Sequence, residues 1–174
     1  IFTLPASVLR ESLDRMKGQS RNEKAWVPVD PAELQIPIRD EDGVFDLKAR
    51  DAQVFGPSAR FSVMDEVGCI RNWSTVRDEV LWVLEAPEPG AYDVIVEYAC
   101  DRDGSGVPYQ LVAGEEVIEA VTESTRSWND FRETRIGEVE VPDARTLVVS
   151  IKPDRDPPFA LMDLRSVRLV PIID

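Results

Sequence analysis

The sequence predicts an all-β domain, built as a sandwich or a barrel, behind a short N-terminal arm. One observation is a series of short strand candidates from Val44 onward, with no helical pattern between them. The other is the set of turn-forming residues between the candidates, such as Gly56-Pro57 and Pro142-Asp143. Short strands at this spacing are typical of antiparallel sandwiches and barrels. The candidates are Val44–Phe55, Arg60–Val63, Gly68–Trp73, Glu79–Glu85, Ala91–Ala99, Pro108–Ala113, Glu116–Val121, Phe131–Val141, Thr146–Ile151 and Phe159–Val170.

The clearest strand pattern lies between residues 72 and 99. Apolar side chains occupy every second position from Tyr92 to Tyr98, which predicts a strand with one buried face. A turn of prolines and glycine at residues 87–90 joins this strand to the one before it. The segment that leads into both strands forms the pattern W-x4-D-x-V-x-W, with Trp73, Asp78, Val80 and Trp82.

The N-terminal arm contains one helix candidate, residues 5–17, which ends at Gly18. Its apolar residues Val8, Leu9, Leu13 and Met16 share one helical face. An isolated helix of this length is marginal in water, so it either docks on another surface or frays. We interpret residues 1–43 as a linker or packing arm and residues 44–174 as the β-sandwich domain. A disordered linker is the alternative for the arm.

The charge of the chain argues against two classes of partner. The sequence carries 33 acidic and 20 basic residues, a net charge of −13, and the basic residues are scattered among the acidic ones. Nucleic acids and anionic membranes favour clustered Lys and Arg, so neither is an expected partner. The acidic surface favours neutral ligands over anionic ones.

The residue types present make catalysis by this chain an unfavoured hypothesis. Histidine is absent, which excludes Ser-His-Asp and Cys-His nucleophiles and histidine-ligated zinc. Cys69 and Cys100 form no metal-binding motif, and we expect two buried free thiols. If the protein is secreted, a disulfide between neighbouring strands is the alternative.

No metal or cofactor site is predicted from the motifs. Residues 101–106, DRDGSG, begin like a calcium loop, but glycine stands fourth instead of sixth and Val112 occupies the position of the bidentate glutamate. A tight turn is the better interpretation. The many adjacent carboxylates, such as Asp65-Glu66, are expected at the surface.

The aromatic residues are the best candidates for a ligand site. Sugars present apolar C–H faces that stack on aromatic rings, while polar side chains bind their hydroxyls. Trp82 alternates with apolar residues in a strand, which favours the core. Trp73 follows polar residues at a strand end and is the better surface candidate, whereas Trp128 fits either position. The full set of candidates is Trp73, Trp82, Tyr98, Tyr109 and Trp128.

A series of weak motifs runs in order through residues 47–171. The motifs are Ala49-Arg-Asp-Ala-Gln-Val-Phe-Gly, Asn72-Trp73, Asp78-x-Val80-x-Trp82, Pro89-Gly-x-Tyr92-x-Val94, Tyr98-Ala-Cys, Trp128-x-x-Phe131, Ile136-Gly137 and Leu161-Met-Asp-Leu-Arg-Ser-Val-Arg-Leu. In this series the chain resembles the carbohydrate-binding-module-like β-sandwiches of the galactose-binding-domain type, close to families 6 and 35. More particularly, it is similar to the version appended to bacterial fucosidases, sulfatases and other secreted enzymes.

The resemblance implies a jelly-roll sandwich of two antiparallel sheets with a non-catalytic role. Many relatives carry a structural calcium, bound by two glutamates of the first strand and an Asp near the last strand. Here Lys48 and Arg50 align with the two glutamates, and Asp163 matches the Asp. Calcium needs oxygen ligands, so we expect the calcium to be lost. The charge reversal suggests that Arg50 or Lys48 pairs with Asp163 instead.

Two functions follow from the resemblance. The first is an accessory carbohydrate-binding module that binds a neutral glycan, with Trp73 and Trp128 stacking on the sugar and Arg71, Asp154 and Arg155 as polar contacts. The second is a structural β-sandwich, without ligand, that buttresses the catalytic domain of the same polypeptide. The chain has neither an initiator Met nor a signal-peptide pattern at its start. We therefore expect it to be part of a longer protein. The resemblance implies that this protein is a bacterial enzyme, a glycoside hydrolase or a sulfatase, that is secreted or periplasmic.

Overall fold

The computed structural model describes residue 37 and residues 39–63 and 65–173, which form a sandwich of two antiparallel sheets. In chain order the strands are β1 (Phe45–Lys48), β2 (Gln53–Phe55), β3 (Arg60–Ser62), β4 (Cys69–Arg71), β5 (Glu79–Glu85), β6 (Gly90–Ala99), β7 (Pro108–Ala113), β8 (Glu116–Val121), β9 (Arg132–Val141), β10 (Thr146–Pro153) and β11 (Asp163–Pro171). The six-stranded sheet has the order β3-β4-β11-β6-β9, and β1 also pairs with β11. The five-stranded sheet has the order β2-β5-β10-β7-β8. The predicted all-β sandwich is thereby confirmed.

The first predicted strand, Val44–Phe55, is two strands in the structure. A 3-10 helix at Ala49–Asp51 separates β1 from β2. β1 pairs with β11 in one sheet and β2 pairs with β5 in the other, so the chain changes sheets at this helix. The prediction of one strand was wrong because apolar residues recur on both sides of the 3-10 helix. The sequence pattern therefore does not show that the chain changes sheets there. The last strand also begins later than predicted, at Asp163 instead of Phe159.

The core lies between the two sheets and is formed by the inward-facing side chains of both. In β6 every second residue from Tyr92 to Tyr98 is buried, as the alternation predicts. Trp82 is also buried, and its indole nitrogen donates a hydrogen bond to the carbonyl of Lys48 at 2.8 Å, which confirms its predicted core position. Burying each large apolar side chain contributes about 1.5–3 kcal/mol to stability. Other large, fully buried side chains are Tyr98, Tyr109, Leu84, Leu111, Ile151 and Leu164.

The buried carboxylate of Asp78 joins the β4–β5 loop to the β2–β3 loop. Its Oδ1 accepts hydrogen bonds from the backbone amides of Ser58 and Ala59, both at 2.9 Å. Its Oδ2 accepts from the amides of Ser74 at 3.0 Å and Thr75 at 2.9 Å. Charge-assisted bonds of this kind compensate a carboxylate for its lost hydration. The Asp of the W-x4-D-x-V-x-W pattern therefore holds two loops of the fold in place.

The two cysteines are buried and unbonded to each other. Cys69 lies in β4, and Cys100 follows β6 directly. Burial raises the pKa of each thiol to about 11, so both stay protonated near neutral pH. The expectation of buried free cysteines is confirmed.

Two predictions about the N-terminal arm are not tested by the described residues. The helix candidate at residues 5–17 lies outside the described residues, and the domain boundary at residue 44 stays a prediction. Within the part of the chain that the structure describes, there is no helix long and apolar enough to cross a membrane.

Candidate functional site

The loop between β10 and β11, residues 154–162, is tied to two neighbouring loops at one end of the sandwich. The backbone amide of Val76 in the β4–β5 loop donates a hydrogen bond to Asp156 at 2.7 Å. The guanidinium of Arg155 reaches the carbonyl of Gly106 in the β6–β7 loop at 3.4 Å. These cross-links give the loop end a defined surface, which is what a binding site requires.

A cleft of ≈ 380 Å³ opens at this end of the sandwich. Lys152 and Gln110 are paired in the register of β10 and β7, so their side chains lie next to each other on the outer face of the five-stranded sheet. None of the ion pairs between described residues involves Lys152 or Arg77. Both side chains line the cleft and bring cationic donors to it. The described residues that line the cleft are Val76, Arg77, Gln110, Lys152, Pro153 and Asp154.

The cleft offers hydrogen-bond donors and acceptors of several kinds. Arg77 and Lys152 are donors only, Asp154 is an acceptor, and the amide of Gln110 is both. A sugar hydroxyl both donates and accepts hydrogen bonds, so a mixed set of this kind suits it. The apolar part of the wall comes from Val76 and Pro153.

Two of the sequence-predicted polar contacts lie at the cleft or next to it. Asp154 lines the cleft, and its amide donates a hydrogen bond to the carbonyl of Pro108 at 3.0 Å, which fixes the start of the loop. Arg155 is exposed, and its guanidinium donates a hydrogen bond to the carbonyl of Gly106. The structure thus brings Asp154 and Arg155 to the loop end, as expected from their place in the β10–β11 loop.

Trp128 is half-buried in the loop between β8 and β9. Part of its ring packs against the core, and the ring lies so close to Gly104 that a Cβ there would be 2.8 Å from two of its atoms. The β6–β7 loop therefore holds the indole in place. Trp128 is neither fully buried nor fully exposed, which lies between the two positions that the sequence left open for it.

Trp73 lies in the core, and its expected surface position is wrong. Its side chain is 0% exposed, and its indole nitrogen donates to the carbonyl of Ile70 at 3.1 Å. Asn72 follows β4 with a φ of +62°, and the carbonyl of the next residue, Trp73, accepts a hydrogen bond from the amide of Leu161 in the β10–β11 loop at 3.0 Å. In this conformation the ring has no open face on which a sugar could stack.

Arg71 forms an ion pair with the buried Asp163 at 2.8 Å. Burial raises the pKa of the Asp163 carboxyl to about 6, and the nearby guanidinium opposes that rise. The hypothesis that Arg50 or Lys48 pairs with Asp163 is therefore wrong. Arg50 donates to two backbone carbonyls of the β3–β4 loop, both at 3.0 Å, and the ammonium of Lys48 lies 3.8 Å from Asp46.

The residues at Asp163 do not fit the calcium site that the resemblance implies. The nearest charged partner of the carboxylate is the guanidinium of Arg71, which repels a cation and supplies no oxygen. The two positions that the resemblance aligns with glutamate ligands are Lys48 and Arg50, which supply no oxygen either. Across residues 39–63 and 65–173, no group of three or more acidic or sulfur-bearing side chains is arranged to hold a metal ion.

Several surface residues at this end were not predicted as site residues. Arg77 and Gln110 come together only through the loop bonded to Asp156 and the β7–β10 register, which no local pattern reveals. Phe159, in the same loop as Asp154, is 64% exposed. Its proline-rich surroundings, KPDRDPPF, were the available signal for an exposed aromatic ring in this loop.

The fold is shared with several solved structures. A family 35 carbohydrate-binding module from Clostridium thermocellum is 15% identical, with a TM-score of 0.60 over 74% of this chain and 98% of that one. The GH26-CBM35 β-(1,4)-mannanase of Podospora anserina is 16% identical, with a TM-score of 0.59 over 77% of this chain and 29% of the mannanase. The insecticidal crystal protein Cry2Aa is 16% identical, with a TM-score of 0.60 over 79% of this chain and 23% of that protein.

These likenesses establish the architecture. No protein-family model and no curated protein matches the chain. The chain spans nearly the whole of the isolated module, but less than a third of the mannanase and less than a quarter of the crystal protein. At such low identity a structural likeness shows the fold alone. The chain thus has the β-sandwich fold of family 35 carbohydrate-binding modules.

Proposed function

We propose that this chain is a non-catalytic accessory module that binds carbohydrate at the loop-end cleft. The observation that carries the proposal is the mixed polar cleft at Gln110 and Lys152, on a sandwich whose structural neighbours include family 35 and family 36 carbohydrate-binding modules. The cleft supplies the donors and acceptors that sugar hydroxyls need. Exposed aromatic surface lies at the same end of the sandwich.

The ligand we propose is a neutral glycan. The net charge of −13 repels polyanionic chains at long range, whereas neutral sugars are unaffected. Arg77, Gln110, Lys152 and Asp154 bind hydroxyls in the cleft. The exposed Phe159, or the half-buried Trp128, stacks on a sugar face beside it.

The setting we propose is a larger secreted or periplasmic bacterial enzyme that processes glycans. One structural neighbour, the GH26-CBM35 mannanase, combines a module of this fold with a catalytic domain in one chain. In such an enzyme the module holds the substrate near the active site and raises its effective concentration there. The catalytic domain of the same polypeptide would then be the second partner of this chain.

A glycan array with a matched set of variants tests the proposal. We expect the parent to bind at least one neutral glycan, and Arg77→Ala combined with Lys152→Ala to lose that binding. Lys48→Ala is the control, because Lys48 is an exposed cation in the other sheet. Retained binding by the cleft variant, or equal loss in the control, would place the site elsewhere. Unchanged circular dichroism must accompany each variant.

The second candidate is the structural β-sandwich without a ligand. The burial of Trp73 favours it, because one of the two proposed stacking rings serves packing instead. The likeness to Cry2Aa shows that the same sandwich also occurs outside glycan-processing enzymes. If a well-folded sample binds no glycan on the array, this candidate replaces the first.

A further inference from the structure

The two sheets have outer faces of different character. The outer face of the six-stranded sheet carries ion pairs between exposed side chains, such as Arg135–Asp93 and Arg168–Glu133, both at 2.6 Å. A sheet face that carries such charged side chains is stable in contact with solvent. The outer face of the five-stranded sheet is instead apolar along its middle. By strand alternation and register, its outward-facing apolar residues include Leu81, Val83, Val112 and Val148.

The middle of this apolar face is covered. Leu81 and Val83 are only 3% and 6% exposed, although they point away from the core that Val80, Trp82 and Leu84 enter. Among the described elements, β5 contacts chiefly β2 and β10, which lie beside it in the same sheet. Towards the far edge the same face opens, since Val117 on β8 is 53% exposed. A strand that is apolar on both faces is typical of a sheet that is covered on both sides.

Leu81 and Val83 need an apolar occupant over them, and the sequence offers one in the same chain. Residues 1–36 precede the described part and offer apolar side chains for this purpose, with Val8, Leu9, Leu13 and Met16 on one face of the predicted helix. The match of one apolar face to another favours this segment as the occupant.

The place where the described chain begins supports this assignment. Arg39 forms a β-bridge with Phe45 and an ion pair with Glu88, in the turn that follows β5. The preceding segment therefore starts near the Glu85 end of β5. Five strands at about 4.8 Å spacing span roughly 19 Å, and a helix of thirteen residues is about 20 Å long. The predicted helix has the length to cross the sheet.

We propose that the segment before residue 37 packs its apolar helical face across Leu81 and Val83, and turns the five-stranded sheet into an internal layer. The sandwich then has a third layer on one side only. The cleft at Lys152 and Gln110 stays open, because it lies at the opposite end of the same face from the Glu85 end of β5. This inference is independent of glycan binding.

Thiol labelling of the full chain tests it. Val83→Cys places a reporter under the proposed cover, and Val117→Cys places a matched reporter on the exposed edge of the same face. The native thiols give little background, because both are buried with a pKa of about 11. We expect Val83→Cys to react with a maleimide about tenfold or more slowly than Val117→Cys, because a covered site reacts only when it opens.

Variants of the segment then identify the cover. Leu9→Ser with Leu13→Ser is expected to speed labelling of Val83→Cys and to leave Val117→Cys unchanged. Glu11→Ser with Asp14→Ser, on the opposite helical side, is the control and should change neither rate. Near-ultraviolet circular dichroism checks that the sandwich stays folded.

Three results would overturn the proposal. Fast labelling of Val83→Cys in the parent would show an open face. Slow labelling that the segment variant leaves unchanged would assign the cover to another part of the chain. Protection that disappears on dilution, irrespective of the segment variant, would assign the face to a second copy of the protein.

Discussion

At the scale of single residues, buried carboxylates organise the loop end of the sandwich. Asp78 accepts backbone hydrogen bonds from two loops, and Asp163 pairs with Arg71 where β4 and β11 meet. Both are almost fully buried, so their partners decide whether burial stabilises or destabilises the fold. Val76 and Arg77 of the cleft project from the β4–β5 loop, which Asp78 holds in place.

Replacing Asp78 should destabilise the protein strongly. Asp78→Ala leaves four backbone amides without their acceptor, and we expect a loss of about 3–4 kcal/mol in the free energy of unfolding. Asp78→Asn keeps one acceptor oxygen and should cost less. Urea denaturation measures both, with the exposed Asp103→Ala as the control, expected within about 0.5 kcal/mol of the parent. An Asp78→Ala variant as stable as that control would contradict the structural role.

The ion pair of Arg71 and Asp163 predicts a pH dependence of stability. The pKa of Asp163 in the folded protein, about 6, lies above the ordinary aspartate value of 3.8. Its contribution to stability is therefore full below about pH 4 and is lost as the pH rises through about 6. Above that pH the ionised carboxylate depends on Arg71, so Arg71→Met should cost about 1–3 kcal/mol near pH 8 and less near pH 4.5.

Denaturation at both pH values checks this prediction. The double variant Arg71→Met, Asp163→Asn is the control, because it removes the titrating group and should show no such pH dependence. An equal cost of Arg71→Met at both pH values would mean that the pair does not depend on the charge of Asp163.

At the scale of elements, local patterns were sufficient where one strand stays in one sheet. The strands Glu79–Glu85, Pro108–Ala113 and Glu116–Val121 agree with prediction at both ends. Alternation identifies such strands because one face meets the core. Alternation failed at residues 44–55, where the chain passes from one sheet to the other. It also failed at Phe159, which follows two prolines and lies in the loop before the last strand. Long-range pairing decides both cases, and it leaves no local signature.

The contact between the β6–β7 loop and Trp128 gives a prediction at this scale. A methyl group at Gly104 would lie 2.8 Å from the indole, so Gly104→Ala should displace the ring and change tryptophan emission. The same substitution in a Trp128→Phe background should give no change relative to Trp128→Phe alone. If Gly104→Ala leaves the emission of the parent unaltered, the ring does not rest on this loop in solution.

At the scale of the whole molecule, the fold admits more than one function. The same sandwich occurs in carbohydrate-binding modules and in an insecticidal crystal protein. The function therefore has to be argued from the site. The candidate site was only partly predictable: Asp154 and Arg155 followed from the loop that carries them, whereas Arg77 and Gln110 join them through strand register and loop contacts. The burial of Trp73 depends on the β10–β11 loop that packs over it.

The most direct test of glycan binding at the cleft is a nitrogen-15 NMR titration of the full chain with a neutral glycan selected on the array. We expect the largest shift changes at residues 76–77, at Gln110 and at residues 152–154. Smaller changes are expected at Trp128 and Phe159. Shift changes confined to another face, or no change with any glycan tested on a well-folded sample, would contradict glycan binding at the cleft.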